Sequence, residues 1–155
     1  MSIQKVREYF SKFAMEGRIR EFKVSSATVE LAAQALNCEG KRIAKTLSFI
    51  LDDNAILIVM AGDAKVDNHK YKEQFGKKAK MLSANEVFDM IGHAVGGVCP
   101  FGVNVGVAVY LDESLKRFTT VFPACGSSNS AIELTIPELE KYSQYKAWVN
   151  ISNNW

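Results

Sequence analysis

Two apolar runs, Leu47–Leu51 and Ala55–Ala61, are joined by Asp52-Asp53-Asn54, and this arrangement constrains the fold more than any other feature of the chain. Each run is far shorter than the ~20 residues of a membrane helix and has the length of a strand buried on both faces. A turn composition of hairpin length between such runs predicts two antiparallel strands at the centre of a sheet. A strand pair of this kind needs cover on both sides. With 155 residues, 48% of them apolar and 23% charged, the chain has enough material for one compact domain over 1–155, and disorder is excluded.

The cover is legible as helices. Ile3, Val6, Phe10 and Phe13 recur at helical spacing, with Ser2 as the expected cap and Gly17 as the expected stop. Thr28 is placed to cap a second helix that carries Glu30 in its first turn and ends near Asn37–Gly40. A third helix is predicted from Asp67 to Phe75, and a fourth opens on the capping box Ser83-Ala-Asn-Glu86 and stops at Gly92. Thr135-Ile-Pro-Glu138 supplies a second capping box, with Pro137 in the first turn of the last helix. Further strands are predicted near Ile19–Val24, Ala79–Leu82, Val105–Leu111, Thr119–Ala124, Ala131–Thr135 and Ala147–Ile151. Strands joined mostly by short turns, with helices inserted in groups, favour an α+β domain on a mixed, largely antiparallel, curved sheet flanked by helices over a doubly wound parallel one.

The first residues mix charges and lack the apolar stretch of a secretory signal, so the cytoplasm is the expected compartment and no membrane partner is expected. Cys38, Cys99 and Cys125 make an odd count without C-x-x-C spacing, which points to free thiols. Charge is unevenly distributed: residues 1–80 hold fifteen Lys and Arg against ten Asp and Glu, whereas 81–155 hold four against seven. Such a lopsided molecule can orient a polyanion. The lysines at 65, 70, 72, 77, 78 and 80 form the densest stretch, for which a solvated helix face is the plainer reading.

Five of the ten glycines fall between Gly92 and Gly106, in the segment Gly92-His-Ala-Val-Gly-Gly-Val-Cys-Pro-Phe-Gly102 and its continuation. Glycines allow close backbone approach and Pro100 stiffens the turn, so this loop can present N–H groups to a carbonyl or phosphate oxygen. It is neither a P-loop nor a dinucleotide fingerprint, because no Gly-Lys-Ser/Thr follows and the G-x-G-x-x-G spacing is missing. A second polar loop, Pro123–Ser130, offers Ser127, Ser128, Asn129 and Ser130 as hydroxyl or amide donors that could face the same pocket. Lys45 stands at the mouth of the first apolar strand, where its ammonium could face a ligand. Cys99 and His93 share one loop and raise the question of a thiol with its base, but no third orienting group is identifiable, and a buried cysteine is commonly a small hydrophobe. With only two histidines in the chain, neither a metal nor another cofactor is expected.

Lys41-Arg-Ile-Ala-Lys-Thr-Leu-Ser-Phe49, the 92–102 segment, Val109-Tyr-Leu-Asp-Glu-Ser-Leu115 and Cys125-Gly-Ser-Ser-Asn-Ser-Ala-Ile-Glu-Leu134 together resemble the YbaK-like domain, the free-standing relative of the editing insertion of bacterial prolyl-tRNA synthetases. The resemblance spans almost the whole chain in the same order. It implies a trans-acting deacylase that removes a small residue such as alanine or cysteine from mischarged tRNA-Pro. Its partners would be the acceptor end of aminoacyl-tRNA and prolyl-tRNA synthetase, with no role for DNA. By motif match Lys45 takes the catalytic place, and Gly96, Gly97 and Pro100 form the loop that positions the acyl group. Thr46, His93, Val98, Cys99, Gly126, Ser127 and Ser128 complete the expected substrate-binding set. Where the synthetase insertion has a histidine this chain has Glu133, so that histidine's role does not transfer.

The chemistry suits a site without triad, metal or paired carboxylates. An activated ester needs a positioned water and stabilisation of an oxyanion, for which each preorganised donor is worth ~3 kcal/mol. A non-catalytic module that binds aminoacyl-tRNA or a synthetase is the alternative, and a cysteine-dependent hydrolase of small metabolites is a third.

Overall fold

The computed structural model describes residues 2–155 apart from the Ser2 side chain, so the expected cap at Ser2 lies outside the described part. The predicted hairpin forms the centre. Strand β2 (Ile43–Leu51) pairs antiparallel with β3 (Asn54–Ala61), the register running from Leu51 opposite Asn54 to Ala44 opposite Ala61. Asp52 takes the left-handed conformation that a two-residue loop requires, with φ +54. From Ala55 to Ala61 every residue of β3 is buried, as expected for a strand covered on both faces.

Around this pair a six-stranded sheet is assembled in the order β8-β6-β2-β3-β5-β9. It includes β5 (Ala108–Asp112), β6 (Thr120–Pro123), β8 (Leu134–Thr135) and β9 (Ala147–Val149). The sheet is mixed: β2 with β3 and β6 with β8 run antiparallel, while β6 joins β2, β5 joins β3 and β9 joins β5 in parallel. Two short antiparallel pairs sit outside it, β1 (Arg20–Glu21) with β7 (Ser130–Ala131) and β4 (Lys65–Val66) with β10 (Ser152–Asn153). Asp112, fully buried at the end of β5, binds this edge together by accepting from the Ser114 and Ile151 N–H groups, both at 3.0 Å, and from the Ser152 hydroxyl.

Helix α1 (Ser2–Ser11) buries Ile3, Val6 and Phe10. It ends earlier than the spacing predicts: Ala14 turns at φ +57, Gly17 falls inside a short 3-10 turn, and Phe13 remains 40% exposed against Tyr9 and Tyr142. Helices α2 (Val29–Leu36), α4 (Ala84–Ile91) and α5 (Ile136–Ser143) begin at the predicted caps Thr28, Ser83 and Thr135, and both capping boxes are formed, while α3 (Asn68–Phe75) starts one residue later than predicted because Asp67 is its cap, accepting from the Lys70 N–H. Gly92 ends α4 in the left-handed region at φ +95.

All six further predicted strands are shorter or divided; Thr119–Ala124 forms as Thr120–Pro123 and Ala147–Ile151 as Ala147–Val149. Ile19–Val24 pairs only at Arg20–Glu21, since Phe22 and Ser26 donate their N–H groups to the carbonyls of Asn129 and Ser128. Ala79–Leu82 contributes one bridge, Phe49 to Met81, with Ile50 N–H donating to the Lys80 carbonyl and Leu82 N–H to that of Ser48. Pairing begins at Ala108 instead of Val105 because Asn104 closes the end of α4, its amide nitrogen donating to the Asp89 and Met90 carbonyls. Ala131–Thr135 divides between β7 and β8. No helix among the described residues is long and apolar enough to cross a membrane.

Candidate active site

β2 lacks a continuous neighbour on its second edge. β6 accompanies it at Ile43 and Ala44, and the 80–82 segment meets it again from Ser48 onward. Beside the intervening residues Lys45, Thr46 and Leu47 a cavity of about 390 Å³ opens. Its walls come from the start of α2 (Thr28, Val29, Ala32), from Met81, Leu82 and Val87, from Val95, Gly96 and Val98 of the glycine-rich loop, and from Phe122, Ala124, Ser130 and Ala131. Lys45, Thr46, Gly96 and Val98, far apart in the chain, therefore line one space.

Lys45 is half-buried, and its ammonium donates to the carbonyls of Ala64 at 2.5 Å and Gly62 at 3.4 Å. Burial lowers its pKa below 10.5, opposed by the negative charges of Asp63 and Glu30 and reinforced by Lys65. An ammonium has three donors, so these two bonds leave one for a ligand. The turn that provides them is itself fastened. Asp63 is gripped by both terminal nitrogens of Arg117 at 2.9 and 2.6 Å, which holds its carboxyl below the usual range. Its carbonyl accepts from the Asn154 side chain at 3.1 Å, and the Trp155 ring lies 5.0 Å from the Arg117 guanidinium. Gly62 is needed here by space: a Cβ would come within 2.0 Å of the Gly40 carbonyl oxygen.

The Thr46 hydroxyl oxygen is buried beside the cavity without a hydrogen-bond partner. Gly96 adopts φ +94. Gly97 packs backbone to backbone on the second polar loop, where an added Cβ would lie 2.6 Å from the Gly126 carbonyl carbon and 2.7 Å from the Ser127 nitrogen. Its N–H is used within the loop, donated to the Ala94 carbonyl at 3.1 Å. Of the expected loop residues, Gly96 and Val98 are the two that reach the cavity wall.

The remaining expected residues lie elsewhere. Gly97, Gly126, Ser127 and Ser128 line a neighbouring hollow of about 810 Å³ that shares Val95 with the cavity. Pro100 lines a third, of about 370 Å³, beside Tyr9 and Tyr142. His93 and Cys99 are fully buried, and neither lines any of these three hollows. The His93 Nε2 lies 2.7 Å from the Phe101 carbonyl and 3.6 Å from the Cys99 sulfur. Burial depresses the imidazole pKa and pushes the Cys99 thiol up to about 12, which removes the thiolate a nucleophile requires. Their complete burial makes these two residues part of the core. Glu133 is held outside the cavity wall by Arg42 and by the Thr120 hydroxyl at 2.6 Å.

Sequence reading misses the Asp63–Arg117 pair, whose members are 54 positions apart. It reads Thr28 only as a cap, although that residue is also wall. The apolar side formed by Val29, Ala32 and Phe122 carries no signal beyond ordinary amphipathic spacing.

Residues 24–142 match the family described as the aminoacyl-tRNA editing domain. The chain is 54% identical to the YwhH protein of Bacillus subtilis over 156 residues, which is 100% of this chain and 99% of that one. It is 31% identical over 104 residues to a proline–tRNA ligase of Halalkalibacterium halodurans, a match that takes in 66% of this chain but 18% of the ligase. Among solved structures it superposes with a TM-score of 0.87 and 27% identity on a protein proposed to be a trans-editing enzyme for prolyl tRNA synthetase, covering 98% of this chain and 97% of that one.

Proposed function

The chain belongs to the aminoacyl-tRNA editing domain family, and from that premise we propose that it is a cytoplasmic trans-editing hydrolase that deacylates tRNA-Pro carrying a small wrong amino acid such as alanine or cysteine. One observation carries the reading: Lys45, Gly96 and Val98 line a single cavity whose remaining walls are largely apolar.

In this reading the acyl ester at the acceptor end enters between β2 and the glycine-rich loop. Water adds to the ester carbonyl, the carbonyl oxygen takes up negative charge, and collapse expels the ribose oxygen, which leaves with a proton. The remaining N–H of the Lys45 ammonium and the amides of Gly96 and Val98 act on that oxygen; each preorganised donor contributes ~3 kcal/mol. Lys45 acts as a fixed cation and moves no proton. Val29, Ala32 and Phe122 restrict the acyl side chain by volume, where each methylene is worth about 1–3 kcal/mol. The partner in action is prolyl-tRNA synthetase, whose misacylated product this protein clears.

The test is a deacylation panel of tRNA-Pro carrying alanine, cysteine, serine or proline. Wild type should release alanine or cysteine and spare proline, while Lys45→Ala loses on the order of 10²-fold or more with an almost unchanged melting temperature. Full activity in Lys45→Ala would refute the mechanism. Salt-sensitive tRNA binding without any release would favour a non-catalytic module instead.

A further inference from the structure

The cavity is charged at one point only. Lys45 is the single ionic side chain in its wall, and no Asp or Glu lines it among the described residues. The two carboxylates that act on Lys45 stand outside that wall: Asp63 is occupied by Arg117 and acted on further by Lys41, and Glu30 is exposed on the first turn of α2. Lys65 adds more positive charge. An α-ammonium brought in beside Lys45 would meet a like charge in a partly desolvated space, with no counterion within the wall.

The other polar groups of the wall are neutral, and most are engaged. Thr28 Oγ1 accepts from the Leu31 N–H at 3.2 Å, Ser26 Oγ donates to the Ser128 carbonyl at 3.3 Å, and Ser130 Oγ accepts from Ser127 Oγ at 2.7 Å. The Thr46 hydroxyl is buried and unpartnered. A hydroxyl both donates and accepts, so it can satisfy an uncharged amine or hydroxyl and gives an ammonium no compensating charge.

We propose that this site takes acyl esters whose α-substituent is uncharged: aminoacyl esters react as the free amine, and α-hydroxyacyl esters are accepted equally well. The inference rests on the deacylase reading and adds to it the charge state of the substrate. Bond changes are the same for both substrates. Water forms the new carbon–oxygen bond, the bond to the ribose oxygen breaks, and the ribose oxygen takes up the proton that the adding water releases.

The experiment uses the unmodified protein and two forms of one tRNA. Alanyl-tRNA-Pro is treated with nitrous acid, which replaces the amine by a hydroxyl and gives the nearly isosteric lactyl ester. For each ester the acceleration over its own hydrolysis in buffer is measured, which removes the intrinsic difference in lability. The lactyl ester should be accelerated at least as strongly as the alanyl ester, to within about threefold. A larger shortfall with the alanyl acceleration intact overturns this inference alone. Acceleration of neither ester overturns the deacylase reading, and this inference with it.

Discussion

Arg117 holds Asp63 through two guanidinium nitrogens, and the turn containing Asp63 presents the carbonyls of Gly62 and Ala64 to the Lys45 ammonium. The lysine is therefore aimed by a residue more than seventy positions further along the chain. An ammonium on a flexible stem is an imprecise electrostatic tool unless its other donors are fixed, and here they are fixed by a turn that an ion pair clamps.

Arg117→Ala should reduce the deacylation kcat by roughly tenfold while removing about 1 kcal/mol of stability or less, because the pair is partly exposed but controls geometry. Arg117→Lys, which keeps the charge and loses the fork, should recover part of the rate. Steady-state kinetics beside thermal melts separate the two effects; an unchanged kcat in Arg117→Ala would remove the clamp from the mechanism.

Cys99→Ala should retain turnover to within about twofold, since its buried thiol stays protonated throughout the working range. Alkylation gives an independent reading. Under native conditions the half-buried Cys38 should react alone, and slowly, because burial also raises its pKa, whereas denaturant should expose Cys99 and Cys125 as well. Inactivation that tracks modification of Cys99 would contradict this.

Gly97→Ala should destabilise the fold by about 1–3 kcal/mol, because the new methyl would press on the Gly126–Ser127 backbone. Gly17→Ala is the control: nothing lies within 4 Å of the place its methyl would occupy, so its melt should shift little. Equal denaturation midpoints for the two variants would show that the two loops do not bear on each other.

Glu138 answers to pH. Arg18 donates to it and the Thr135 backbone caps it, which lowers its pKa from 4.5 to about 2. A carboxyl depressed in the folded state stabilises above its unfolded pKa and loses that contribution as pH falls through the folded one. Glu138→Gln should thus cost about 1–2 kcal/mol at pH 7, after discount for partial exposure, and the gap should close as the pH falls from 4.5 towards 2. Urea midpoints at pH 7 and pH 3 measure it, and a gap of constant size would be inconsistent with the Arg18 pairing.

The central hairpin and the helix starts are readable because their signals are local. Asp52-Asp53 between two apolar runs specifies a loop, and Ser83-Glu86 and Thr135-Glu138 specify first turns without reference to anything distant. Lys45 and Gly96 stand out through resemblance to a family, with little in their own chemistry to single them out. What escapes depends on where loops turn inward. The 92–102 segment has no period, so nothing in it tells that His93 and Cys99 face the core while Gly96 and Val98 face the cavity. Asp63 and Arg117 are ordinary surface residue types, and their meeting is a product of the finished fold.

The opening beside Lys45, Thr46 and Leu47 arises where a ladder of main-chain pairing is interrupted between β6 and the 80–82 segment. Its existence is a property of strand lengths, and the side chains around it decide only what it admits. Descendants of this sequence can exchange Val29, Ala32 or Phe122 and so change diet without having to invent a new mouth.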